Sequence, residues 1–137
     1  MSADITLLGR PRMRNDLDPT GDRMIAALRY CHHAGTGYSI HTLAHHLGSR
    51  TALPPFHALL DEAWRAWPEP PVIESHCNPR ISHDEALLVD ICMAAARDER
   101  PAFEFLTREM FAPCARQTLW LAARRLMRSV LRAVGDR

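Results

Sequence analysis

The sequence predicts an all-α fold, a single-domain bundle of five to six helices. Three observations carry that prediction. Apolar residues recur at helical spacing, most clearly at Phe56, Leu59, Leu60, Ala63, Trp64 and Trp67. Serine, glycine and proline punctuate the ends of such segments. No run alternates polar and apolar residues as a half-buried strand would. A chain of 137 residues, 47% hydrophobic and 24% charged, suits one domain with one core.

Residues 1–17 show little periodicity and carry an Arg-Pro-Arg-Met-Arg run, so they read as a flexible N-terminal arm. The helical domain is then 18–137. Its first helix spans about 19–34. Asp18 or Thr20 caps it, Met24, Ile25, Leu28 and Cys31 form its inner face, and Gly35 ends it. A second helix spans about 39–47, with Ser39 as cap and Ile40, Leu43, Ala44 and Leu47 facing inward, before Gly48. The third helix follows Pro54-Pro55 and stops before the "PEPP" stretch at 68–71.

Residues 72–81 read as extended. Ser82 and Glu85 then form an S-x-x-E capping box, in which each side chain satisfies a free backbone donor of the first turn. From Ala86 to Ala96 only Asp90 is polar, and a helix apolar nearly all round is buried. This is the expected central helix. A fifth helix starts near Pro101, with Phe103, Leu106 and Met110 on one face. The last runs over about 113–134. Leu119, Ala123, Leu126, Met127, Val130 and Val134 face inward, and Arg124, Arg125, Arg128 and Arg132 lie on the other side.

The net charge of +1 advertises no global field for nucleic acid. The charge is nonetheless polarised: residues 61–109 are acid-rich, and residues 114–137 hold six arginines against Asp136 alone. All 17 basic residues are arginine, which excludes a lysine Schiff base or a phosphate-loop lysine. Cys31, Cys77, Cys92 and Cys114 have no regular spacing, and the apolar run Ile5-Thr6-Leu7-Leu8 is too short for a signal peptide. No stretch reaches the ~18 apolar residues of a membrane span. The expectation is a cytoplasmic protein with reduced thiols.

The stretch "VIESHCNPRISHDEALLVDI", residues 72–91, raises the sharpest question. His76, Cys77 and His83 are three of the four ligands a closed zinc site needs, with the fourth from Cys31, His32, His33 or Cys114. Cys77, a few residues before a helix N-terminus, also suits a thiolate with His76 or His83 as base, although Asp84 and Glu85 oppose it. The structural alternative is a turn at Asn78-Pro79 leading into a capped helix, with Cys77 as a small buried hydrophobe. That alternative is the favoured one.

Other features weigh less. Cys31 and Cys92 sit on apolar helical faces and read as core. His41 and His45 are one turn apart, but no glutamate follows His41 as a His-Glu-x-x-His metalloprotease motif requires. Asp90 reads as part of a polar stripe, facing solvent or an arginine. Residues 39–64 match part of the spacing of a helix-turn-helix through Ala44 and Gly48, but Pro54 and Pro55 fall where the second helix should be formed, and Asp61 and Glu62 repel phosphate. The row Arg124, Arg125, Arg128 and Arg132 is the main electrostatic feature. It reads as a solvated face or as a docking surface, with Trp120 and Leu131 as anchors where exposed.

The residues Cys77, Pro79, Arg80, Ser82, Asp84, Glu85, Leu87 and Leu88 lie within "HCNPRISHDEALLVDICMAAAR". This stretch resembles part of an uncharacterised small helical proteobacterial family. The resemblance covers about a sixth of the chain. It implies a bacterial all-α domain and supplies no catalytic residue.

The sequence therefore points to a non-catalytic interaction or regulatory domain, with no cofactor. Arg124, Arg125, Arg128 and Arg132 are the expected contacts, and any exposed part of the Trp64/Trp67 face adds to them. An acidic protein or a second copy is the expected partner, rather than nucleic acid or membrane. The alternative is a zinc protein using His76, Cys77 and His83, and the further alternative is a DNA-binding regulator.

Overall fold

The computed structural model describes residues 12–135. It is the all-α domain that the sequence predicts, with six helices and no β-strand among the described residues. They are α1 (Pro19–Ala34), α2 (Ile40–Leu47), α3 (Leu53–Ala66), α4 (His83–Ala96), α5 (Arg100–Thr107) and α6 (Pro113–Gly135). A single helical turn at Arg14–Asp16 precedes α1, and further turns at Gly35–Gly37 and Arg50–Ala52 join α1 to α2 and α2 to α3.

The caps explain the starts. Asp18, not Thr20, accepts the Gly21 N–H at 2.7 Å, and Pro19 opens α1 with no donor to satisfy. Ser39 accepts the Thr42 N–H and starts α2. Gly48 ends it with φ 87°, a left-handed conformation that costs glycine nothing. α3 begins at Leu53, ahead of the two prolines rather than after them. Pro54 and Pro55 fall in the first turn, where backbone N–H groups have no intrahelical acceptor anyway. The objection they raise to a second helix after α2 therefore fails. The α3 surface still exposes Asp61, and its Arg65 is bound to Glu62 at 3.2 Å, so it offers no row of free cations for phosphate. α5 starts at Arg100, one residue ahead of Pro101.

α4 is the central helix. Leu87, Leu88, Val89, Ile91, Cys92 and Ala95 are all buried, on every side of it. α6 lies across α3 and α4, its two most extensive contacts. Phe56 and Leu59 of α3, Ile91 of α4, Phe103 of α5 and Leu126 and Met127 of α6 are fully enclosed. Each such side chain contributes about 1.5–3 kcal/mol through removal from water.

The boundary between arm and domain moves. Residues 1–11, Asp136, Arg137 and the side chain of Val134 lie outside the described residues. Residues 12–17, read from sequence as part of the arm, are tied to the domain. Arg14 donates its backbone N–H to Pro79, Ile81 donates to Arg12, and Met13 and Arg80 form an antiparallel bridge. The Arg12 guanidinium reaches Asp90 at 2.8 Å, which answers the lone acid of the apolar 86–96 run with an arginine from the N-terminal segment.

Candidate functional site

The loop over 72–82 closes around one arginine that sequence periodicity does not single out. Arg29 of α1 is wholly buried, and so is Glu85 of α4. The guanidinium Nε donates to Glu85 Oε2 at 2.8 Å, and Nη2 donates to Oε1 at 3.1 Å. Nη2 also donates to the Arg80 carbonyl at 2.7 Å, while Nη1 serves the carbonyls of Asn78 at 2.8 Å and His76 at 3.4 Å. Five donors thus meet five acceptors, the full capacity of the group. Glu85 is equally occupied: it also accepts the backbone N–H of Ser82 at 2.9 Å and of Glu74 at 3.3 Å. The predicted capping box forms, and its glutamate doubles as the counter-ion of Arg29.

The rest of the α4 start holds the chain arriving from α3. Asp84 accepts from the Trp67 indole at 2.9 Å and from the Val72 N–H at 2.8 Å, and the Ser82 hydroxyl donates to the Val72 carbonyl. Within the loop Asn78 accepts the Arg80 N–H at 3.0 Å and donates to Glu74 at 2.8 Å. The stretch is therefore a turn leading into a capped helix, wrapped on a buried ion pair. The polar groups of Arg29 and Glu85 are fully engaged in holding the loop.

The candidate metal residues are not gathered. His76, Cys77 and His83 are all exposed, so Cys77 is not the buried hydrophobe expected of a turn residue. His83 occupies the first turn of α4. Among the described residues no group of three or more His, Cys, Asp or Glu side chains is placed to hold a metal ion. The His76 ring packs instead near His33 (5.4 Å between centroids) and Tyr30 (6.4 Å). Cys92 is fully buried and its thiol is pushed up to about 12 by that burial, which leaves it inert. Cys31 is half-buried, not a full core residue, and burial raises its thiol as well. His41 and His45 are exposed on α2.

The arginine face of α6 is the other candidate. Its inner face, from Leu119 and Trp120 to Val130, is buried. Trp120 is only 4% exposed, with Arg100 and Arg124 over its ring at 5.2 and 5.8 Å, so it is a core residue and not an interface anchor. Trp67 is likewise buried, against Trp64 and Phe111. That leaves only a half-buried Trp64 on the face expected to contribute contacts.

Leu121 and Leu131, in contrast, are 52% and 42% exposed. They stand ten residues apart on α6, about 15 Å along its axis. Between and beside them lie Arg124, Arg125, Arg128 and Arg132. Arg124 reaches Asp98 at 3.7 Å, whereas Arg125, Arg128 and Arg132 have no ion-pair partner among the described residues. Arg124, Arg128 and Arg132 line a groove of about 410 Å³ between α4 and α6, floored by Ala95, Ala96 and Met127. Arg125 lines a second hollow of about 270 Å³ with Leu121, on the α3 side.

No family model, curated protein or solved structure matches this chain. Fold and site define an all-α domain with a loop wrapped on a buried ion pair and, among the described residues, an open cationic face on α6. No helix among the described residues is long and apolar enough to cross a membrane.

Proposed function

We propose that this chain is a non-catalytic interaction domain whose docking face is the outer stripe of α6. Its occupant is an acidic, amphipathic segment of a protein partner. The observation that carries this reading is the set of three arginines without ion-pair partners among the described residues, bracketed by two exposed leucines, on a helix whose other face is fully used. Arginine beside apolar anchors is the composition of an interface centre. The apolar floor of Ala95, Ala96 and Met127 favours a side-chain-bearing partner over a phosphate backbone, which needs cations along its whole track.

The test uses a synthetic helical peptide with glutamates at i, i+4 and i+7 and leucines at either end, followed by fluorescence anisotropy. The wild-type chain binds it, binding weakens steeply with salt, and R125E/R128E/R132E loses it. Equal binding by the triple variant, or by a scrambled peptide, overturns the reading. Sedimentation of the chain alone assigns the occupant. A mass that rises with concentration and is restored to monomer by the same variant makes the partner a second copy.

A further inference from the structure

A cluster of rings lies outside the docking face. Tyr30 and His33 from α1, His45 and His46 from α2, and His76 from the loop come together there. The centroid distances are 5.6 Å for Tyr30–His46, 6.4 Å for Tyr30–His76, 5.4 Å for His33–His76 and 6.1 Å for His45–His46. Three segments remote in sequence meet through these side chains. The Tyr30 hydroxyl also accepts the Ser39 N–H at 2.7 Å and so holds the start of α2.

The side chains beside the cluster include two arginines. Arg14 stands beside it, donating to the His76 carbonyl at 3.2 Å, and Arg29 donates to the same carbonyl from beneath. The nearby acids are engaged: Glu74 holds Asn78 at 2.8 Å, and Asp22 holds Arg14 at 2.8 Å. Burial first, then His45, His76 and Arg14, holds the His46 imidazole below its ordinary pKa. His33 donates from Nε2 to the Glu74 carbonyl at 2.8 Å, which ties the end of α1 to the loop.

We infer that this ring cluster is an acid-sensitive clasp between α2 and the 72–82 loop, closed while the imidazoles are neutral and loosened when they take up protons. A histidine whose folded pKa is lowered stabilises fully above its unfolded value. That stabilisation is lost as the pH falls through about 6.5 toward the folded value. The clasp therefore opens on acidification, within the range where histidine alone among unperturbed side chains titrates.

The test is amide hydrogen exchange of residues 40–47 and 72–82 on the full chain, at one pH above and one below the ordinary histidine value. Protection is corrected for intrinsic rates and referred to the α4 and α6 core. In the wild type, relative protection of both segments falls at acid pH, in the direction set by the lowered His46 pKa. In H46Q/H76Q the fall is largely abolished, and in H46Q alone it is reduced. Relative protection that is independent of pH, or a fall as large in H46Q as in the wild type, overturns the inference.

Discussion

The 72–82 loop and the outer face of α6 both depend on arginine and use it in opposite ways. Arg29 is wholly buried, and each of its five N–H groups has an acceptor, while Arg125, Arg128 and Arg132 stand in solvent without ion-pair partners among the described residues. A buried guanidinium is tolerated only when it is fully paired, because the desolvation of an unpaired charge exceeds what the rest of a small domain can offset. An exposed guanidinium loses little by standing alone and remains available to a partner. Arginine at the first place organises the fold, and at the second it is open to a partner.

The largest test of that contrast is Arg29→Met. It strands the Glu85 carboxylate at 0% exposure, and removing one side of a buried pair costs about 3–5 kcal/mol. Denaturant unfolding of R29M is expected to show a loss of that size. R29M/E85L, which removes both charges, is expected to recover part of it, limited by the three loop carbonyls and the Ser82 and Glu74 N–H groups left without their partners. A loss under about 1 kcal/mol in R29M would mean that the pair is not what holds the loop.

Ser82→Ala probes the same region more gently. It removes the acceptor of the Glu85 N–H and the donor to Val72 but leaves the ion pair in place. A lost N-cap costs about 1 kcal/mol, read by the same unfolding curves. A loss as large as that of R29M would make the cap, not the buried charge, the centre of the loop.

Why the cap was legible in the sequence and the ion pair was not follows from their range. Ser82 and Glu85 are three residues apart, so the motif is local and its geometry is set by the helix itself. The caps at Asp18 and Ser39, the stop at Gly48 and the buried α4 are local in the same sense. Arg29 and Glu85 are 56 residues apart. The available signal was a charge beside Leu28 and four residues after Ile25, on the stripe that faces inward. An arginine there either reaches solvent along its stem or meets a buried acid. One sequence cannot choose between them. The fate of Trp120 was illegible for a related reason. Its indole lies at the edge of the α6 stripe, and it is α5, through Phe103 and Arg100, that covers it. The meeting of His33, His46 and His76 likewise needs three segments folded together.

A smaller effect is expected from pH. The lowered pKa of His46 makes global stability fall as the pH drops below about 6.5, and H46Q is expected to flatten that part of the stability profile. The group is partly exposed, so solvent screening keeps the change small. Thermal unfolding at a series of pH values reads it. A profile equally steep in H46Q would place the titrating group elsewhere.

The smallest stability effect belongs to the face with the largest functional one. R125E/R128E/R132E changes three exposed positions of α6 and touches no buried contact. Surface substitutions of this kind stay within about 0.5 kcal/mol each. One of these positions, Arg132, also lies in the last turn of the helix, where a cation is favoured over an anion by about 0.3–1 kcal/mol, so a modest loss is expected rather than none. The triple variant therefore folds, with the helical circular dichroism of the wild type, yet fails to bind the acidic peptide. If it unfolds instead, the arginines are holding the acid-rich half of the same chain, and the two regions differ in degree only. If it folds and binds equally well, the reading of α6 as a cationic docking face is overturned; if it folds and binding is only weakened, the exposed leucines carry part of the recognition. L121A/L131A then becomes the variant that loses binding, because two half-exposed leucines matter to an interface only where a partner covers them.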